Sequence, residues 1–172
     1  MLKLSGFAPA EIDKIAAREM RFEIEEFNTD YCAVLDAGEV ELWPDFFTEN
    51  ALYRVTAKEN ADAGMPVGLV YAEGKKMLRD RATAIARTQM FAPRYNLHVV
   101  GNTRVLNIIN DCEIFSQTNF ILLQTLVEGP TTLHLAGKYY DRFEKKNGKI
   151  LLSERQVIYD TSIIANDLVY PV

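Results

Sequence analysis

The sequence predicts an α+β fold in which N-terminal helices pack inside a strongly curved, mostly antiparallel sheet. Three observations carry this. The first 38 residues repeat apolar side chains at helical spacing. The last 76 or so read as four long strands joined by very short links. Between them lie two short strands and one charged helix. Helices first and strands afterwards is the order of a sheet covered on one face, and a sheet that long must bury one face.

Residues 9–38 read as helix. Ile12, Ile15, Ala16, Met20, Ile24, Phe27, Tyr31, Val34 and Leu35 recur every three or four positions and make one stripe. Pro9 suits a first helical turn and Gly38 a stop. A short aromatic helix is expected at Leu42–Phe47, where Trp43, Phe46 and Phe47 plug one end of a core. The period then changes to two. Ala51–Thr56 and Val67–Ala72 are strands, and residues 57–66, with Asn60, Asp62, Gly64 and Pro66, are loop. Residues 74–88 return to helix, with Met77, Leu78, Ala82, Ile85 and Ala86 on one face and basic residues on most of the rest.

Leu97–Ile109, Glu113–Val127, Thr132–Lys145 and Lys149–Asp160 are long runs rich in β-branched and aromatic residues. Asn110-Asp111, Glu128-Gly129-Pro130 and Asn147-Gly148 link them, and Asn-Gly suits a hairpin turn in which both central residues need positive φ. The result is a meander of three consecutive hairpins. Curved around helices, such a sheet makes a cone with an interior. Nuclear transport factor 2 and the ketosteroid isomerases have this layout, and the element order resembles theirs, an NTF2-like cone.

Composition narrows function. The 172 residues, 48% hydrophobic and 25% charged, are expected to form a single domain over 1–172. A net charge of -5 argues against nucleic acid or an anionic membrane as partner. No apolar run approaches the ~20 residues that span a bilayer, and no signal-like N-terminus is present, so a cytoplasmic location is expected. Cys32 and Cys112 read as buried thiols rather than a disulfide.

Metal chemistry finds few donors. A Rieske cluster needs paired Cys and His motifs, and neither Cys has a His nearby. A mononuclear iron site needs two His and a carboxylate, and His98 and His134 are the chain's two histidines, on different strands. No metal or cofactor is therefore expected. No nucleophile elbow or phosphate loop occurs.

Acid–base chemistry in the cone interior is a separate possibility, with His98, His134, Tyr139, Tyr140, Asp141, Asp30 and Tyr31 as candidates. Leu133, Leu135, Gly137, Tyr139, Asp141 and Phe143 share one strand face, read as the core face. The plainer reading pairs Asp141 with Arg155 or Arg142 and turns His134 outward. On the strand before, Arg94, Asn96, His98, Asn102 and Arg104 make a polar series suited to a subunit contact, and Leu97, Val99, Gly101, Thr103 and Val105 fit a core.

The chain resembles the small (beta) subunits of Rieske-type aromatic-ring-hydroxylating dioxygenases from about Glu25 to Asp160. The resemblance runs through Glu39-Val40-Glu41-Leu42-Trp43-Pro44-Asp45-Phe46-Phe47, Tyr53, Met77-Leu78-Arg79-Asp80-Arg81, Pro93-Arg94, His98, Asn102, Gly137-Lys138-Tyr139-Tyr140-Asp141-Arg142 and Glu154-Arg155. Asn96 stands where the family often has Arg, Gly101 where it has Ser or Thr, and Phe91 where it often has Trp. The resemblance implies a chain without catalytic residues that assembles as α3β3 and itself trimerises. A large alpha subunit would carry the Rieske 2Fe-2S cluster and the mononuclear iron. Substrates would be aromatic compounds, aromatic acids such as anthranilate, benzoate, salicylate or terephthalate among them. Subunit contacts are expected at Asp80, Arg81, Arg94, His98, Asn102 and Arg104. Two other readings compete. One is a free-standing isomerase or dehydratase using His98, Tyr139 or Asp141 in the cavity; the other is a scaffold protein without catalysis.

Overall fold

The computed structural model describes residues 4–65, 68–88 and 90–172. Helix α1 spans Lys14–Asp36, not 9–38. Asp13 sets its start: the side chain accepts from the Ile15 and Ala16 N–H groups, both at 3.0 Å, a cap stronger than any preference of Pro9. Residues before it run elsewhere, and the Ala10 N–H donates to the Leu106 carbonyl. Ile15, at the start of the predicted stripe, is exposed; Met20, Ile24, Tyr31, Cys32 and Leu35 are buried. Each such large side chain stabilises the fold by ~1.5–3 kcal/mol when fully buried. Gly38, at φ +76°, ends the helix as expected.

A 3-10 turn, Val40–Phe46, leads into β1, Phe47–Ala57. The stretch expected to be loop holds a one-turn helix, α2, at Lys58–Asp62, closed by a 2.7 Å pair between Lys58 and Asp62. Lone polar residues mark a loop only until one of them finds a partner one turn away. Strand β2 is Val70–Glu73; the predicted start of this strand at Val67, like Pro66 of the loop, lies outside the described residues. Helix α3 is Lys75–Arg87. Strands β3 (Arg94–Ile109), β4 (Glu113–Leu126), β5 (Thr131–Lys146) and β6 (Lys149–Tyr159) match the predicted meander closely.

The strands form one curved, unclosed sheet in the order β2-β1-β6-β5-β4-β3, with β1 parallel to β6 and every other pair antiparallel. Helix α1 lies in its hollow. Bulges interrupt β3 between Gly101 and Arg104, β5 at His134 and β6 at Ser153, and each adds local twist that helps the sheet curl. Trp43, Tyr53, Phe47, Tyr31, Tyr139 and Phe143 fill the interior with α1.

The bulges also overturn two facing assignments. In the first half of β3 the expected faces are exchanged: His98 is buried, whereas Leu97 and Val99 are exposed. Helix α1 offers a carboxylate to that edge, so the polar series turns inward there. In β5 the extra residue turns His134 inward and leaves Leu133 exposed. Cys32 is a buried free thiol, as expected, but Cys112 sits exposed in the β3–β4 turn.

Candidate functional site

The centre of the cone is a polar cluster inside an aromatic box. Helix α1 supplies Asn28 and Tyr31, β5 supplies Tyr139 and Asp141, and β6 supplies Arg155. Asp141 and Arg155 stand directly opposite in the β5–β6 register, so strand pairing itself brings the charges together. Arg155 Nε donates to Asp141 Oδ1 at 2.8 Å, and Nη2 donates to Asp141 Oδ2 at 2.9 Å and to Asn28 Oδ1 at 2.6 Å. Tyr31 and Tyr139 sandwich the guanidinium, 4.2 and 4.3 Å from the two ring centres. Tyr139 in turn stacks on Phe120 at 4.6 Å.

Burial dominates the electrostatics. It pushes the Tyr31 and Tyr139 hydroxyls well above the ordinary phenol range, and the Cys32 thiol up to about 12. Burial also raises the Asp141 carboxyl, with Arg155 pulling against it. The Arg155 guanidinium is held charged by Asp141. Tyr31, Tyr139 and Cys32 thus stay protonated, and both Asp141 oxygens are taken up by Arg155, which leaves no free group to act as a general acid or base.

A second set of bonds closes the cluster. Trp43 Nε1 donates to Tyr31 Oη at 2.8 Å, and Tyr31 Oη donates to the Val172 carbonyl at 3.1 Å. The Val172 N–H donates to Tyr53 Oη at 2.9 Å. Val172 is itself wholly buried. The segment leading to it is strapped down by Thr161 to the Ala136 N–H, by Asp167 to Arg94 and by the Val169 carbonyl to Arg81. Sequence reasoning missed this strap; a mixed run of Leu168, Val169 and Tyr170 carries no periodicity to mark it.

The cavity candidates are therefore not convergent. Asp141 and Tyr139 share the central cluster. His98 is held apart at the β3 edge, where Asp36 accepts from its N–H at 3.0 Å and lies 2.6 Å from Nδ1. His134 is buried further along β5, on the far side of β4. Two clefts of about 470 Å3 lie on the described surface, one at Ala57–Asp62 and Tyr159–Ser162, the other around Phe27, Phe46 and Ile150. Neither is lined by His98, Tyr139 or Asp141. Among the described residues no group of three or more His, Cys, Asp or Glu is placed to hold a metal ion.

The six residues expected at subunit contacts fall in two groups. Arg81, Arg94 and His98 are tied into the fold, to Val169, Asp167 and Asp36. Asp80, Asn102 and Arg104 are exposed. Asn102 adopts φ +53° in the β3 bulge between Gly101 and Arg104. No helix among the described residues is long and apolar enough to cross a membrane.

The family described as ring hydroxylating beta subunit matches residues 32–166. The small subunit of anthranilate 1,2-dioxygenase from Burkholderia cepacia is 33% identical over 151 residues, covering 88% of this chain and 93% of that protein. The beta 2 subunit of the terminal oxygenase component of terephthalate 1,2-dioxygenase from Comamonas sp is 30% identical over 82% of this chain and 91% of its own length. Among solved structures, a beta subunit assigned to an aromatic-ring-hydroxylating dioxygenase of Novosphingobium aromaticivorans superposes with a TM-score of 0.83 at 33% identity, over 92% of this chain and all of that one. The benzoate 1,2-dioxygenase beta subunit of Burkholderia mallei, 14% identical with a TM-score of 0.67 over 88% of this chain and 93% of that one, shares the fold. With the match spanning most of the chain and its motifs, this protein belongs to the beta subunits of ring-hydroxylating dioxygenases.

Proposed function

We propose that the chain is the non-catalytic, structural beta subunit of a terminal oxygenase acting on an aromatic acid, assembled in the cytoplasm as α3β3. In this reading the larger alpha subunit holds the Rieske cluster and the mononuclear iron, and this chain holds no cofactor. One observation carries the reading. The interior that a cone-shaped enzyme would keep open for substrate is filled by Arg155, Asp141, their aromatic box and Val172. A carboxylate already bonded twice to a buried guanidinium has no access to a ligand. The substrate class follows from the relatives, whose names specify anthranilate and terephthalate.

The exposed Asp80, Asn102 and Arg104 make the polar contacts to the large subunit, and Arg81, Arg94 and His98 hold that surface in shape from behind. Capture of the tagged chain from its source cells tests the reading, with native mass and iron content measured on what elutes. Equal amounts of this chain and a larger, iron-rich chain are expected. An iron-free chain that elutes alone and turns over a substrate by itself would overturn the proposal in favour of a cavity isomerase or dehydratase.

A further inference from the structure

Residues 161–172 form neither helix nor strand, yet they run from the end of β6 to the centre of the cone. Single side-chain ties lace them to one element after another. Thr161 accepts from the Ala136 N–H of β5, and Asn166 donates to Gln124 of β4. Asp167 pairs with Arg94 of β3, and the Val169 carbonyl accepts from Arg81 of α3. Pro171 and Val172 are then buried. Trp43 Nε1 can only donate, so Tyr31 Oη accepts from it and turns its own proton to the Val172 carbonyl. Tyr53 Oη accepts the Val172 N–H and turns its proton to the same oxygen, at 3.3 Å. Two phenols thus converge on one carbonyl oxygen. The surrounding wall holds more donors than the segment satisfies. Arg155 Nη1, Tyr139 Oη and Arg81 Nε are buried without a hydrogen-bond partner among the described residues, and the Arg155 and Tyr139 side chains are wholly buried. Tyr31 joins the two sets, with its hydroxyl on Val172 and its ring on Arg155. Buried polar groups are nearly always partnered, so such orphans call for an explanation. All three can donate, and the two guanidinium nitrogens can do nothing else. What this wall lacks is an acceptor.

We propose that residues 161–172 are a releasable plug, and that the site they occupy takes a small carboxylic acid with an apolar body. When the plug lifts, Arg81 loses the Val169 carbonyl and the two phenols lose the Val172 carbonyl. A carboxylate brings two acceptor oxygens and a negative charge in their place. Tyr31 and Tyr53 bond one oxygen as they bond the Val172 carbonyl, and the other oxygen answers the orphaned donors. Arg81, freed of Val169, balances the charge; Arg155 cannot, because Asp141 already neutralises it. The apolar body takes the space of Pro171 and Val172 among the aromatic rings of the core. An irregular segment held by single side-chain ties belongs to the least stable part of a fold and opens locally. The acid binds the open fraction alone, so the plug lowers its apparent affinity by that fraction. Binding does not bring catalysis, since Asp141 stays bonded to Arg155. The contact belongs to this chain alone, with or without a large subunit.

Benzoate is the probe, with binding read by titration calorimetry and plug opening by amide hydrogen exchange. Three forms of the whole chain are compared: wild type, the double variant Thr161→Ala, Asp167→Ala, and Tyr139→Phe. Benzoate is expected to accelerate exchange across residues 161–172 in the wild type. The double variant loses two ties that lie outside the cluster, and is expected to bind benzoate about tenfold more tightly because its open fraction is larger. Tyr139→Phe keeps the ring that packs on Arg155 and leaves the ties of the plug intact, because the hydroxyl bonds nothing there. Its affinity is expected to fall about fivefold, one hydrogen bond to a charged group being lost. Should the double variant fail to fold, Asp167→Asn alone serves and is expected to bind about threefold more tightly. No benzoate binding by either the wild type or the loosened variant overturns the proposal. So does binding that leaves exchange in residues 161–172 unchanged, or a folded loosened variant that binds no tighter than wild type. Undiminished binding by Tyr139→Phe places the probe outside the cluster and overturns it as well. Benzamide, which is neutral, is expected to bind more weakly than benzoate, and equal affinity would overturn the assignment of a carboxylate.

Discussion

Arg155 and Asp141 face each other across β6 and β5 with two hydrogen bonds, 2.8 and 2.9 Å, and both side chains are completely buried. Such a pair is more necessary than it is stabilising. Removing one partner strands a charge in the core and costs about 3–5 kcal/mol, while an apolar pair of similar volume can be nearly neutral. Asp141→Ala and Arg155→Met should each destabilise by that amount. The double change Asp141→Leu, Arg155→Met should cost less than the sum. Urea unfolding can be followed by fluorescence, because Trp43 is the chain's sole tryptophan and is wholly buried. Additive costs would show that the two side chains are not coupled.

Asp36 ends α1 and caps the outer edge of β3. Its two oxygens take the His98 N–H at 3.0 and 3.2 Å and approach Nδ1 at 2.6 Å. An edge strand left with free N–H groups invites pairing with another chain. Asp36→Ala leaves a part-buried donor unmet, at a cost of about 1–3 kcal/mol. Hydrogen exchange at the His98 amide should accelerate in the variant, with β5 and β6 unchanged. Equal exchange in both proteins would mean that the carboxylate does not guard this edge.

Gly137 is required by proximity rather than by backbone angle. A Cβ there would lie 2.1 Å from the Ile158 carbonyl oxygen and 2.7 Å from the Tyr159 Cα. Both are backbone atoms of β6, which cannot yield without shifting the register that aligns Asp141 with Arg155. Gly137→Ala should therefore destabilise by more than about 1–3 kcal/mol, the usual range for overpacking. A denaturation midpoint equal to wild type would refute the close approach.

The long strands were legible because period two and Asn147-Gly148 are local signals, and β3 to β6 fall within a few residues of their predicted limits. Asp141 pairing with Arg155 was legible too, since a short hairpin fixes register. The faces of β3 and β5 were not. A bulge shifts the alternation by one, and neither Asn102 nor His134 announces one in sequence. His98 and His134 thus moved inside while Leu97 and Leu133 moved out. The start of α1 was misplaced because Pro9 and Asp13 both fit helix starts, and which one wins depends on Ala10 pairing with Leu106, far along the chain.

His134 carries the pH prediction. It is the extra residue of the β5 bulge, with Leu133 opposite Leu123 and Leu135 opposite Leu122. The ring is buried, and neither nitrogen has a hydrogen-bond partner among the described residues. Burial pushes its pKa below the ordinary 6.5, the Arg94 cation pushes it further, and Asp167 pulls the other way. The unfolded chain therefore takes up a proton near pH 6.5 before the folded chain does. As pH falls below that value the unfolded state binds more protons, so stability falls until the folded ring also titrates. His134→Leu removes this penalty, and it strands no partner among the described residues. The variant should gain more in melting temperature at about pH 5 than at about pH 7.5, where both forms of the ring are neutral. An equal gain at the two pH values would show that His134 does not resist protonation in the folded chain.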